Sequence, residues 1–100
     1  MLGSIILGPD RDLTDLLFRR STEFPDLSVY KIINEYPKLH HTMRLLNAYS
    51  PEIVFLEVSQ DPAGWDVAAD ILTQRPETGI VGYTRDPELR EGRRRVRGRR

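Results

Sequence analysis

The chain has no cysteine, one tryptophan, two methionines and only two lysines, Lys31 and Lys38. Without cysteine there is no disulfide, no thiolate metal centre and no thiol nucleophile. That composition fits a reducing compartment, and a cytoplasmic location is expected. Long apolar runs are missing too: no stretch approaches the roughly 20 apolar residues of a membrane span, and no membrane contact is expected. The opening MLGSIILGPD lacks the basic segment and the apolar length of a secretory signal. It also lacks a GxGxxG or GxxxxGK[ST] loop: LGPDRD stands after the first apolar run, and its aspartates would repel a phosphate. Neither a Ser-His-Asp set nor HExxH is present. The sequence offers no catalytic constellation, and the chain is expected not to be an enzyme.

What is present is one small domain. The 100 residues are 39% apolar, enough for a modest core and no second one. The formal charge of zero conceals an asymmetry. Residues 1–84 hold 7 Lys+Arg against 12 Asp+Glu, a net of −5; residues 85–100 hold 8 Arg against 3 acids, a net of +5. An acidic body, 1–84, is therefore followed by an Arg-rich tail, 85–100.

Periodicity orders the body. Ser4–Leu7 is a short apolar run stopped by Gly8-Pro9, a first strand. Asp10 can cap a helix from about Arg11 to Phe24, with Leu13, Leu16, Leu17 and Phe24 on one face. Leu27–Asn34 alternates as a strand near a sheet edge does. Pro37 can occupy the first position of a second helix with the stripe Leu39, Met43 and Leu46. Ile53–Val58 is a nearly continuous apolar run, as in a strand covered on both faces. Asp61-Pro62 can start a third helix, with Trp65, Ala68, Ile71 and Leu72 inward and Trp65 as its anchor on the sheet. Gly79–Tyr83 is a fourth strand. The order β-α-β-α-β-α-β argues for an α/β parallel sheet with helical crossovers.

Three segments together resemble the receiver domain of bacterial response regulators over about residues 4–84. SPEIVFLEVS is similar to that family's third strand, a proline-led apolar run ending in the phosphoacceptor aspartate. IVGYT is similar to its fourth strand, ending in a Thr or Ser that contacts the phosphoryl group. SIILGPDRDLTDLL is similar to its first strand, acidic turn and first helix. The resemblance implies a flavodoxin-like (CheY-like) sheet of order 2-1-3-4-5; because residues 85–100 lack the apolar pattern of a further strand and helices, the order expected here is 2-1-3-4, with the fifth strand and last helices missing. The resemblance also implies a site at the carboxyl ends of the first and third strands.

At that site the sequence departs from the family. Glu57 stands at the acceptor position, one methylene longer than aspartate, against a cation that demands near-octahedral geometry. Gly8 and Pro9 stand where an acidic pair belongs, leaving Asp10 as the residual acidic position. Thr84 matches the phosphate-contact position, and no lysine follows it. Glu57 then reads as a strand-end acid left from an ancestral site, as a permanent stand-in for a phosphorylated aspartate, or as a weak Mg²⁺ ligand with Asp10. A single carboxylate carries less charge than an aspartyl phosphate, which weighs against the stand-in. No cofactor is expected. Asp10 doubles as a helix cap and Thr84 as a strand-end hydrogen-bonding residue. His40 and His41 are adjacent on a helix, about 100° apart, so they do not converge on a metal.

The expected function is that of a non-catalytic pseudo-receiver in a bacterial two-component-like regulator. It would act by contact with a protein partner or fused output domain, self-association included. The alternatives are a phosphoacceptor receiver with a divergent site and nucleic-acid binding by the tail. Six Arg within residues 93–100 would attract a polyanion in a salt-dependent way, without aromatics for base stacking. The tail itself, with Leu89 and Val96 as its apolar residues after Pro87, is expected not to build a buried element. A truncated or frame-shifted reading of a longer domain would also account for it.

Overall fold

In the computed structural model, residues 1–86 are described; the expectations for residues 87–100 lie outside them. The elements are β1 (Leu2–Leu7), α1 (Arg11–Ser21), β2 (Leu27–Ile33), α2 (Leu39–Tyr49), β3 (Ile53–Glu57), α3 (Ala63–Gln74) and β4 (Gly79–Tyr83). All strand pairs are parallel, in the order β2-β1-β3-β4. The expected 2-1-3-4 sheet is thus the sheet observed, and β2 is indeed an edge. Among the described residues no helix is long and apolar enough to cross a membrane.

Alternation along the strands sorts the core. Ile5 and Leu7 of β1 and Val54 and Leu56 of β3 point to one face, where Leu45 and Leu46 of α2 and Val67 and Ile71 of α3 close over them. Each such burial contributes about 1.5–3 kcal/mol. Ile6, fully buried, points to the other face, where α1 contacts β1 and β2. That second face is only partly covered: Ile53 and Phe55 stay half-buried and Val81 is exposed. The expectation that β3 is covered on both faces therefore holds for one face only.

Several boundaries and faces differ from expectation. The first helix ends at Ser21, before Phe24, which is exposed. Phe24 precedes Pro25, a position that disfavours helical backbone, and Thr22 Oγ1 donates back to the Arg19 carbonyl at 2.7 Å as the helix closes. The second helix begins after Lys38, which is extended (φ −73°, ψ 163°), so Pro37 lies outside it. Its buried residues are Thr42, Leu45 and Leu46, whereas Leu39 and Met43 are exposed. In α3 the buried residues are Gly64, Val67 and Ile71; Trp65 and Leu72 are exposed, so Trp65 does not anchor the helix. Leu46 and Ile71 are buried as expected, and Ala68 packs partly buried against the core, while the rest of each inward face is displaced by one residue, for a shared reason. A threonine and a glycine occupy inward positions that a search for large apolar residues passes over. Thr42 Oγ1 is directed to the Pro37 carbonyl at 3.4 Å, and Gly64 lies where no side chain fits, as described below.

On β2 strict alternation fails near Tyr30. Ser4 pairs with Val29 and Ile5 with Lys31, so Tyr30 is an extra residue in the ladder, the geometry of a bulge. Its ring stacks on Tyr49 of α2 with centroids 6.3 Å apart.

Candidate functional site

The carboxyl ends of β1, β3 and β4 converge. Leu7 pairs with Leu56, and Glu57 pairs with Tyr83. The chain leaving β1 at Gly8 is held to β2 by the Gly8 N–H donating to the Ile33 carbonyl at 2.9 Å. It turns at Pro9 so that the Asp10 backbone N–H donates to Glu57 Oε1 at 3.0 Å. Glu57 is buried, 9% exposed. Its carboxylate is thereby tied to the loop at which a receiver would present its acidic pair.

Two tyrosines fill the space around it. Tyr83 reaches from the end of β4 across β3, and its hydroxyl donates to the Leu7 carbonyl at 3.0 Å. Tyr36, from the segment between β2 and α2, donates to the Glu57 carbonyl at 2.8 Å. Two glycines make this packing sterically feasible. A Cβ on Gly8 would stand 2.5 Å from Tyr83 Oη and 2.6 Å from Glu57 Oε1; one on Gly64 would stand 2.8 Å from the Glu57 carbonyl oxygen. Both phenols are pushed above their ordinary pKa, chiefly by burial and then by the neighbouring Glu57 carboxylate. They are therefore neutral hydrogen-bond donors at physiological pH.

Asp10 is engaged on both carboxylate oxygens. Oδ1 accepts the Leu13 N–H at 3.1 Å and caps α1, as expected for this residue. Oδ2 pairs with Arg85 Nε at 2.7 Å. A cation is thus present near the first acidic loop, supplied by the chain leaving β4. Thr84 Oγ1 accepts the Asp86 N–H at 2.9 Å within its own turn. The structure brings Glu57 and Asp10 together through the Asp10 backbone, while the Asp10 carboxylate serves the helix and Arg85. Among the described residues, no group of three or more His, Asp or Glu is placed to hold a metal ion.

The sequence singles out Glu57, Asp10 and Thr84 and does not single out Tyr36, Tyr83, Arg85 and Gly64, which pack or bond around Glu57 and Asp10. A signal existed for one of them: Tyr83 shares a strand face with Val81 and pairs with Glu57, whereas Arg85 lies beyond the end of β4. Tyr36 and Gly64 carry no local signal, since their role arises from contact with the Glu57 carbonyl. His40 and His41 line a shallow polar groove of about 250 Å³ with Glu35, Tyr36 and Lys38.

No known protein-family profile matches the chain, and no curated protein does. Among solved structures it is similar to the signal receiver domain of a modulated diguanylate cyclase from Desulfovibrio desulfuricans G20, described as an example of alternate folding. The TM-score is 0.67 at 18% identity, over 96% of this chain and 76% of that one. With the 2-1-3-4 parallel sheet, this defines a receiver-type α/β fold.

Proposed function

We propose that the chain is a pseudo-receiver: a signalling module that acts by protein contacts, without aspartyl-type phosphorylation. The observation that carries this reading is the state of Glu57. Its carboxylate accepts the Asp10 N–H and lies against Gly8 in a space walled by Tyr83. A phosphoryl group needs room for three equatorial oxygens and a cation bridging them to carboxylates. Here the nearest second carboxylate, Asp10, caps α1 and binds Arg85. The Asp10–Arg85 pair and the Tyr83 hydroxyl bond hold the ends of β1 and β4 together by protein groups alone, a job that a metal and phosphoryl group perform in a working receiver.

The test is incubation of the protein with a small-molecule phosphodonor and Mg²⁺, followed by intact-mass measurement of the natural chain and Glu57→Gln. Neither is expected to gain a phosphoryl adduct. An adduct on the natural chain that Glu57→Gln abolishes would overturn the proposal in favour of a divergent phosphoacceptor.

A further inference from the structure

β4 pairs with β3, yet its carboxyl end is also fastened to β1, one strand further away. Neighbouring strands lie about 4.8 Å apart, so a link from β4 to β1 must cross roughly 10 Å, a span for long side chains. Two side chains make that crossing. The Tyr83 hydroxyl donates to the Leu7 carbonyl at 3.0 Å, and Arg85 Nε binds Asp10 Oδ2 at 2.7 Å. Tyr83 passes over Gly8, where a Cβ would stand 2.5 Å from its hydroxyl oxygen. Between the two, Thr84 Oγ1 accepts the Asp86 N–H at 2.9 Å. That bond closes a turn with Arg85 at its middle, so a residue beyond the end of β4 points back over the sheet.

The crossings enclose the end of β3. The Asp10 N–H donates to Glu57 Oε1 at 3.0 Å, and the Val58 N–H donates to the Tyr83 carbonyl at 2.9 Å. Leu7 and Asp10 belong to one segment, Tyr83 and Arg85 to another, so both crossings fasten the same two segments. Contacts that share their two ends reinforce one another: each keeps the partners of the other within reach. The two rungs differ in kind. The Tyr83 rung is neutral and half-buried. The Arg85 rung is ionic, with the Arg85 side chain 61% exposed and that of Asp10 28%. Salt and competing ions therefore reach the second rung and not the first.

We propose that Tyr83 and Arg85 form a clasp, which locks the segment leaving β4 onto the loop between β1 and α1, with the ionic rung as its release. While the clasp is closed, the end of β4 and the capped start of α1 move as one body. A competing ion at the Asp10–Arg85 pair frees residues 84–86 and leaves the Tyr83 rung to hold alone. The clasp lies at the site of the proposed function but needs Glu57 neither inert nor reactive, so a phosphoryl adduct in that test would not decide it.

The test is hydrogen exchange in the full, isotope-labelled chain, read at the Val58 amide, the last rung between β3 and β4. The Gly79 amide, bonded to the Glu52 carbonyl at the other end of β4, is the internal reference. Relative to Gly79, Val58 exchange is expected to quicken about fivefold in Tyr83→Phe and about threefold in Arg85→Ala. The double variant is expected to reach about sevenfold, short of the product of about fifteenfold for independent sites. Arg85→Lys, which keeps the charge, is expected to recover part of the Arg85→Ala loss. Sodium chloride at about 1 M is expected to reproduce Arg85→Ala in the natural chain and to change little in Arg85→Ala itself. The salt arm uses the unaltered protein and stands even where a variant fails to fold. An unchanged Val58 ratio in both single variants overturns the proposal. So do effects that multiply in the double variant, or a salt response that survives in Arg85→Ala.

Discussion

The two ends of the sheet are built in opposite ways. At the carboxyl end, where a receiver-type fold keeps its chemistry, the space is filled: Glu57, Tyr83, Tyr36 and two glycines pack to distances that leave no room for an added methyl group. At the amino end, on the α1 side, lies a cavity of about 370 Å³ lined by Leu2, Phe24, Pro25, Leu27, Ile53 and Phe55. The end that ought to be open is closed, and the end with open space is apolar, with Asp26 as its acidic rim. Side chains thus fill the space beside Glu57 at the carboxyl end, whereas the amino end keeps an apolar hollow.

Small changes of side-chain volume and bonding are therefore expected to be costly at the filled end and unimportant at the hollow one. The largest effect is expected for Gly8→Ala, which forces Tyr83 or Glu57 to shift and should cost about 1–3 kcal/mol, as overpacking does, read from urea midpoints. A Gly8→Ala protein as stable as the natural chain would mean the site is looser than its distances imply.

Tyr83→Phe is next, at about 1 kcal/mol for the hydroxyl bond to the Leu7 carbonyl. It should also alter the response to alkali. Tyr36 and Tyr83 have folded pKa values raised above the ordinary 10. Below about pH 10 both phenols are neutral in the folded and unfolded chains, and their contribution is fully present. As pH rises further the unfolded chain ionises first, so stability falls until the folded values are passed. Tyr83→Phe should make that alkaline decline shallower. The smallest effect is expected for Phe24→Ser at the rim of the hollow, within about 0.5 kcal/mol because the ring is already exposed.

The same contrast explains what could be read in the sequence. All seven elements were legible, because strands and helices here are set by apolar periodicity and punctuated by Gly8-Pro9, Pro25, Pro37, Asp61-Pro62 and Pro76. The inward faces of α2 and α3 were legible at Leu46 and Ile71 but displaced by one residue elsewhere, since Thr42 and Gly64 bury without being large or apolar. At the site, Glu57 and Asp10 could be placed from strand ends alone. Its closure could not: the Tyr36 and Tyr83 bonds span 21 and 76 residues, and neither depends on a local pattern. A resemblance to a family locates a site, whereas whether that site is open is decided by residues the family pattern does not contain.

The central claim is that the Glu57 site is closed to a phosphoryl group and its cation. Its most direct test is a titration of the isotope-labelled protein with Mg²⁺ and beryllofluoride, a phosphoryl mimic, followed by the backbone amide resonances of Gly8, Asp10 and Thr84. These signals are expected to stay in place, with the Asp10 amide held on Glu57. Saturable shifts at all three, lost in Glu57→Gln, would contradict it.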